Sequence, residues 1–152
     1  VVAVALAGAA LAVAGRGAPA ASQQAPGVLE MMTKAKAVFE GACGVCHGLE
    51  RPLSKTFDRA GWVQTVERMH DNGAEVDAAQ RELVVAYLLA KNTFEAKCAA
   101  CHGLDRPLGA SKTPEEWGAT VQRMADKRPG LLTSTDAAGI AAYLALTRPA
   151  RQ

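Results

Sequence analysis

The sequence predicts an all-α protein folded as two tandem helical lobes. Three observations lead there. No stretch sustains the apolar–polar alternation that a half-buried strand needs. Several segments open with a helix-capping signature and continue with apolar residues at helical spacing. The chain also repeats itself: Phe39–Met69 lies over Phe94–Met124 with 15 of 31 positions identical, where chance gives roughly two.

Val1–Ala14 is apolar and uncharged, and the small residues Ala18–Ala21 follow soon after. Residues 1–20 therefore read as a secretory signal peptide whose front end is missing, or, if uncleaved, as a membrane anchor. Residues 21–28 form an expected flexible lead-in, with Ser22–Gly27 polar and turn-prone. The first lobe is expected over 29–92. It opens with a helix carrying Leu29, Met32, Ala35 and Phe39 on one face. Asp58 can cap the next helix, and Asp77 with Gln80 the one after. The second lobe is expected over 93–148. Thr113-Pro114-Glu115-Glu116 is a complete helix start there, and Thr133 with Asp136 repeats the device. Asn92-Thr93 is the expected joint, although an unbroken helix through it fits the pattern as well. Tyr87-Leu88 matches Tyr143-Leu144, and the tyrosines are expected to pack the last helix of each lobe. Met31 and Met32 have no counterparts and are expected to be packing residues. Lobes of about 55 residues rarely support a core of their own, so each needs a further staple.

Composition narrows the function. Seventeen Lys and Arg against 15 Asp and Glu give a net charge of +2, too little for a dedicated nucleic-acid binder. Charged residues make up 21% of the chain, which excludes wholesale disorder. The four cysteines and two of the three histidines fall into Cys43-Gly44-Val45-Cys46-His47 and Cys98-Ala99-Ala100-Cys101-His102. This is the attachment signature of c-type haem. On a helix the first, fourth and fifth positions share a face. Cys43 with Cys46, and Cys98 with Cys101, can then form thioethers to one porphyrin edge while His47 or His102 ligates the iron. A four-cysteine zinc site would leave both histidines unexplained, and 51 residues between the pairs exceed zinc-ribbon spacing. A redox CxxC pair wants a βαβ setting, which the pattern lacks. Two covalently attached haems c are therefore the expected cofactors.

With these motifs the chain resembles the dihaem cytochromes c. More narrowly it resembles the haem-bearing domain of quinohaemoprotein amine dehydrogenases, where a Gly-x-x-Arg-Pro follows each CxxCH. Here those segments are Gly48–Pro52 and Gly103–Pro107. The resemblance implies two cytochrome c-like helical lobes, each wrapped around one covalent haem, and an electron-relay role. Substrate oxidation is not carried over, because the chain has no room for that enzyme's other domains.

The second axial ligand is expected to be methionine. Met124 is the lone methionine of the second lobe and follows His102 by 22 residues; Met69 follows His47 by the same 22. Trp62, Val66 and Met69 share a helical stripe, as do Trp117, Val121 and Met124, and each stripe reads as a haem-pocket wall. Met placed opposite His raises the haem potential. His70 is the alternative to Met69, but it sits about 80° off the stripe and is expected at the surface. Arg51 and Arg106 are candidate partners for haem propionates. The carbonyls at Pro52 and Pro107 are candidate acceptors for the ligand histidines' Nδ1–H. Arg68 and Arg123 are expected to point elsewhere on their helices.

The expected function is that of a periplasmic, exported, dihaem electron-transfer protein rather than an enzyme. Its expected partners are redox proteins, a dehydrogenase as donor and an oxidase, reductase or further cytochrome as acceptor. No nucleic acid is expected, and a membrane only if the N-terminal segment stays uncleaved. Two alternatives stand beside it: a peroxidase-like haem enzyme or sensor with one displaceable axial ligand, and a haem-bearing subunit of a larger dehydrogenase.

Overall fold

The computed structural model describes residues 26–151, so the expected signal or anchor segment lies outside the described residues. All regular elements among them are helices: α1 Pro26–Cys43, α2 Glu50–Leu53, α3 Arg59–Asp71, α4 Ala78–Cys98, α5 Asp105–Gly109, α6 Pro114–Lys127 and α7 Ser134–Thr147. The fold is all-α. One isolated parallel bridge joins Lys112 to Pro149. No helix among the described residues is long and apolar enough to cross a membrane. Residues 26–28 of the expected lead-in lie within α1.

The long helices begin where side-chain chemistry satisfies their first N–H groups. Asp58 accepts from Gly61 N–H at 2.8 Å. Reciprocal capping boxes join Asp77 to Gln80, Thr113 to Glu116 and Thr133 to Asp136. Each such cap contributes about 1 kcal/mol. α3 ends in a left-handed glycine, Gly73 at φ +100°, with Ala74 N–H bonded to Met69 O and Gly73 N–H to His70 O. That pair of bonds is a Schellman closure, and it locks the last turn around Met69. Past α6, Arg128-Pro129-Gly130-Leu131 forms a turn closed by Leu131 N–H to Arg128 O at 3.1 Å, with Gly130 at φ +83°.

At Asn92-Thr93 the unbroken-helix alternative holds. α4 runs through it without a break. Asn92 is buried there and donates from Nδ2 to Phe57 O at 2.9 Å, while Lys91 pairs with Glu95 one turn on. The two repeats therefore share a helix: the first part of α4 closes the first unit, and Phe94–Cys98 opens the second. α4 packs on α1, α3 and α7; α1 also meets α7, and α6 packs on α7.

The core has two clusters, one around Met32, Phe39, Trp62, Val84 and Leu88, the other around Phe94, Trp117, Val121, Ile140 and Leu144. Met32 packs as expected, whereas Met31 is exposed. A run of four rings crosses from one cluster to the other. Phe39 meets Tyr87 at 5.2 Å, Tyr87 meets Tyr143 at 5.5 Å, and Tyr143 meets Phe94 at 5.9 Å. The tyrosines thus join the two units as well as seating their own helices.

Candidate functional site

α1 and α4 each end on the first cysteine of a CxxCH motif, Cys43 or Cys98. The second cysteine and the histidine therefore lie in a turn beyond the helix, not on its continued face as the spacing suggested. The chain bends there in both units, whether Gly44 or Ala99 follows, and carries Arg51-Pro52 or Arg106-Pro107 back to the same place. That place is a cavity in each unit, of about 500 Å³ in the first and about 600 Å³ in the second. Both sizes suit a cofactor-scale ligand.

Equivalent residues line the two cavities. Cys43, Cys46, His47, Arg51 and Pro52 face the first, and Cys98, Cys101, His102, Arg106 and Pro107 the second. Trp62, Thr65, Val66 and Met69 of α3 complete one wall, as Trp117, Thr120, Val121 and Met124 of α6 do in the other unit. The structure thus brings together, in each repeat, the residues that the motif and stripe arguments singled out. His70 is exposed beside Met69, stands outside the lining, and has Nδ1 at 3.2 Å from Ala74 O. Arg68 and Arg123 differ from expectation, since both line the cavities. A long guanidinium stem reaches the rim even from a neighbouring helical position.

His47 Nδ1 lies 3.1 Å from Gly48 O, and His102 Nδ1 lies 2.9 Å from Gly103 O. A proton on Nδ1 donated to that carbonyl leaves Nε2 as the lone-pair nitrogen, the form in which imidazole binds a metal. The acceptors are not the proline carbonyls expected from sequence. Pro52 O accepts Lys55 N–H at 3.0 Å and Pro107 O accepts Ala110 N–H at 3.3 Å, so both are spent closing local turns.

Burial pushes the Cys43 thiol up from its ordinary pKa; burial, and then the neighbouring Cys101, do the same at Cys98. A redox or nucleophilic cysteine needs the opposite shift. The two CxxC pairs face different cavities, and among the described residues no three His, Cys, Asp or Glu side chains gather to hold a metal ion by themselves.

The lining fits an apolar plate that carries its own negative charge. Tryptophan, valine, methionine and leucine stand in both walls. Among the described residues no carboxylate lines either cavity. The cations that do, Arg51, Lys55 and Arg68 in the first and Arg106, Lys112 and Arg123 among those in the second, belong to no ion pair among the described residues. Trp62 Nε1 is buried with no acceptor among the described residues, whereas Trp117 Nε1–H donates to Arg148 O at 2.9 Å. A macrocycle with two vinyl groups for the thiols, a metal for histidine and methionine, and carboxylates for the cations matches this donor set.

Sequence reasoning missed three features: the ring bridge, the cavity-facing Thr65 and Thr120, and the cations Lys97, Lys112, Lys127 and Arg128 at the second cavity. The signal for the cations was present in the positions where the two repeats differ. No protein-family model matches the chain, and neither do curated proteins or solved structures.

Proposed function

We propose that this chain is a dihaem c-type cytochrome, similar to the haem domain of quinohaemoprotein amine dehydrogenases, and that it transfers electrons between redox partners. One observation carries the reading: each CxxCH and the methionine 22 residues beyond its histidine line one cavity, and this happens twice. Cys43 and Cys46 would hold one haem by thioether bonds, with His47 and Met69 on its iron; Cys98, Cys101, His102 and Met124 would do the same in the second lobe. Haem bound there supplies a one-electron couple at each site.

The protein's own residues do the rest. The Trp62 and Trp117 walls exclude water, and the hydrogen-bonded Nδ1 atoms hold each imidazole in its ligating tautomer. Arg51 and Arg106, which line the cavities, would offset propionate charge. His47 with Met69, and His102 with Met124, would hold each iron and leave no place for a substrate there, which favours outer-sphere transfer over catalysis. The apolar segment at Val1–Ala14 supports export to the periplasm, where c-type haem is attached and where a dehydrogenase donor and an oxidase, reductase or cytochrome acceptor would be met.

The test is intact mass and spectroscopy of the protein matured with haem-attachment machinery. A mass increment of two macrocycles, and loss of one methionine–iron signal in each of Met69→Ala and Met124→Ala but not in His70→Ala, is the expected result. A colourless chain without that increment overturns the proposal. Rapid cyanide uptake by one wild-type site would favour the enzyme or sensor reading instead.

A further inference from the structure

The two cavities are equivalent in their motif residues and unequal in charge. Where the first has Ala42, Phe57 and Asn72, the second has Lys97, Lys112 and Lys127; the reverse exchange occurs once, Lys55 against Ala110. Arg128, set by the turn after α6, adds a further cation, its Nη1 3.8 Å from Cys101 Sγ. Three cations thus line the first cavity and six the second.

The exchange of Phe57 for Lys112 stands out, because each side chain lies on the tryptophan of its own unit. Phe57 meets Trp62 edge-on at 5.0 Å. Lys112 Nζ sits 5.6 Å from the Trp117 ring centroid and donates to Thr120 Oγ1 at 3.1 Å. The segment after α7 clamps this arrangement from behind: Arg148 O accepts both Lys112 N–H at 3.2 Å and Trp117 Nε1–H at 2.9 Å. Lys112 and Lys97 are half-buried, whereas Arg106, Arg123, Lys127 and Arg128 are exposed and more fully screened; of the two, Lys112 is the one seated on the tryptophan.

We infer that Lys112 makes the second cavity the more readily reduced of the two sites, so that an electron given to this protein comes to rest in the second lobe. The inference rests on the function proposed above. A fixed positive charge penalises the more positive, oxidised state of a nearby redox centre and favours the reduced one. A unit charge about 10 Å away, at an effective dielectric of about 20, shifts such an equilibrium roughly ten- to twentyfold. The proposed axial ligands are the same in both sites and do not separate them. Electrons then balance simply: a one-electron donor partner is oxidised, the second site is reduced, and an acceptor partner later takes that electron.

The experiment is a spectroelectrochemical titration of the full-length protein carrying both haems, in wild type, Lys112→Phe, Lys112→Arg and Phe57→Lys. Wild type is expected to titrate in two resolved steps. Lys112→Phe lowers the upper step by roughly tenfold in equilibrium constant and leaves the lower step in place, while Lys112→Arg preserves both. Phe57→Lys raises the lower step and narrows the gap, which tests the same charge in the other lobe. An upper step unmoved by Lys112→Phe, a shift of the lower step instead, or a single wild-type step overturns the inference even when mass confirms two macrocycles. A chain without macrocycles overturns the function, and the inference falls with it.

Discussion

Removing the Tyr87 ring should weaken both units at once. Tyr87 is 4% exposed and lies between Phe39 of α1 and Tyr143 of α7, with ring centroids at 5.2 and 5.5 Å. Truncating a buried aromatic to alanine costs about 3–5 kcal/mol, combining lost transfer energy with the cavity left behind. A domain of this size has about 6–19 kcal/mol to lose. Tyr87→Ala therefore removes a large fraction of it and lowers the melting midpoint by about 15 °C. Tyr87→Phe keeps the ring and should stay within about 1 kcal/mol of wild type. The assay is a thermal melt of the helical circular dichroism signal of wild type and each variant, prepared alike. Because α4 belongs to both units, the loss should appear as one transition moved down, not as one half melting ahead of the other. Two separate transitions in wild type, or a Tyr87→Ala cost below about 1 kcal/mol, would refute a core joined through this ring.

Two further outcomes follow from local features. Gly73→Ala forces a side chain into the φ +100° conformation that ends α3, and should cost about 1 kcal/mol in chemical denaturation; under the proposed function it should also weaken the methionine–iron signal of Met69. The alkaline limit should be set by the chain's two tyrosines, both in the ring bridge. Burial, then the nearby Glu95 charge, push the Tyr143 phenol up to about 12, with Arg148 offsetting part of the shift. Burial, then Tyr143 and Glu40, push Tyr87 higher still. A raised folded value means the neutral phenol is favoured in the fold. Its contribution is fully present below the free phenol value of about 10 and is lost as pH climbs through about 12. Tyrosinate absorbance should accordingly appear late and together with loss of helix; ionisation near pH 10 with the helices intact would contradict it.

Helix starts were legible in the sequence because a cap is local chemistry: Thr113 and Glu116, or Asp77 and Gln80, meet within one turn of chain. The cavity linings were legible because the repeat fixes Trp62, Val66 and Met69 against Trp117, Val121 and Met124 at one helical spacing. Features decided by distant contacts were left open or missed. The unbroken path of α4 is held by Asn92 on Phe57 O, 35 residues away in sequence. The ring bridge depends on how α7 lies across α4. Identity between the repeats drew attention to what the two sites share, and the differences, Phe57 against Lys112 above all, carry what distinguishes them.

The shared helix has a consequence for how the chain can change. At 3.6 residues per turn, one residue inserted within α4 would swing everything beyond it by about 100° about the helix axis. The mutual orientation of the halves is thus counted in whole residues along a single rod. Insertions can be absorbed in the turns after α3 or α6, but not between Ala78 and Cys98 without re-seating one half against the other.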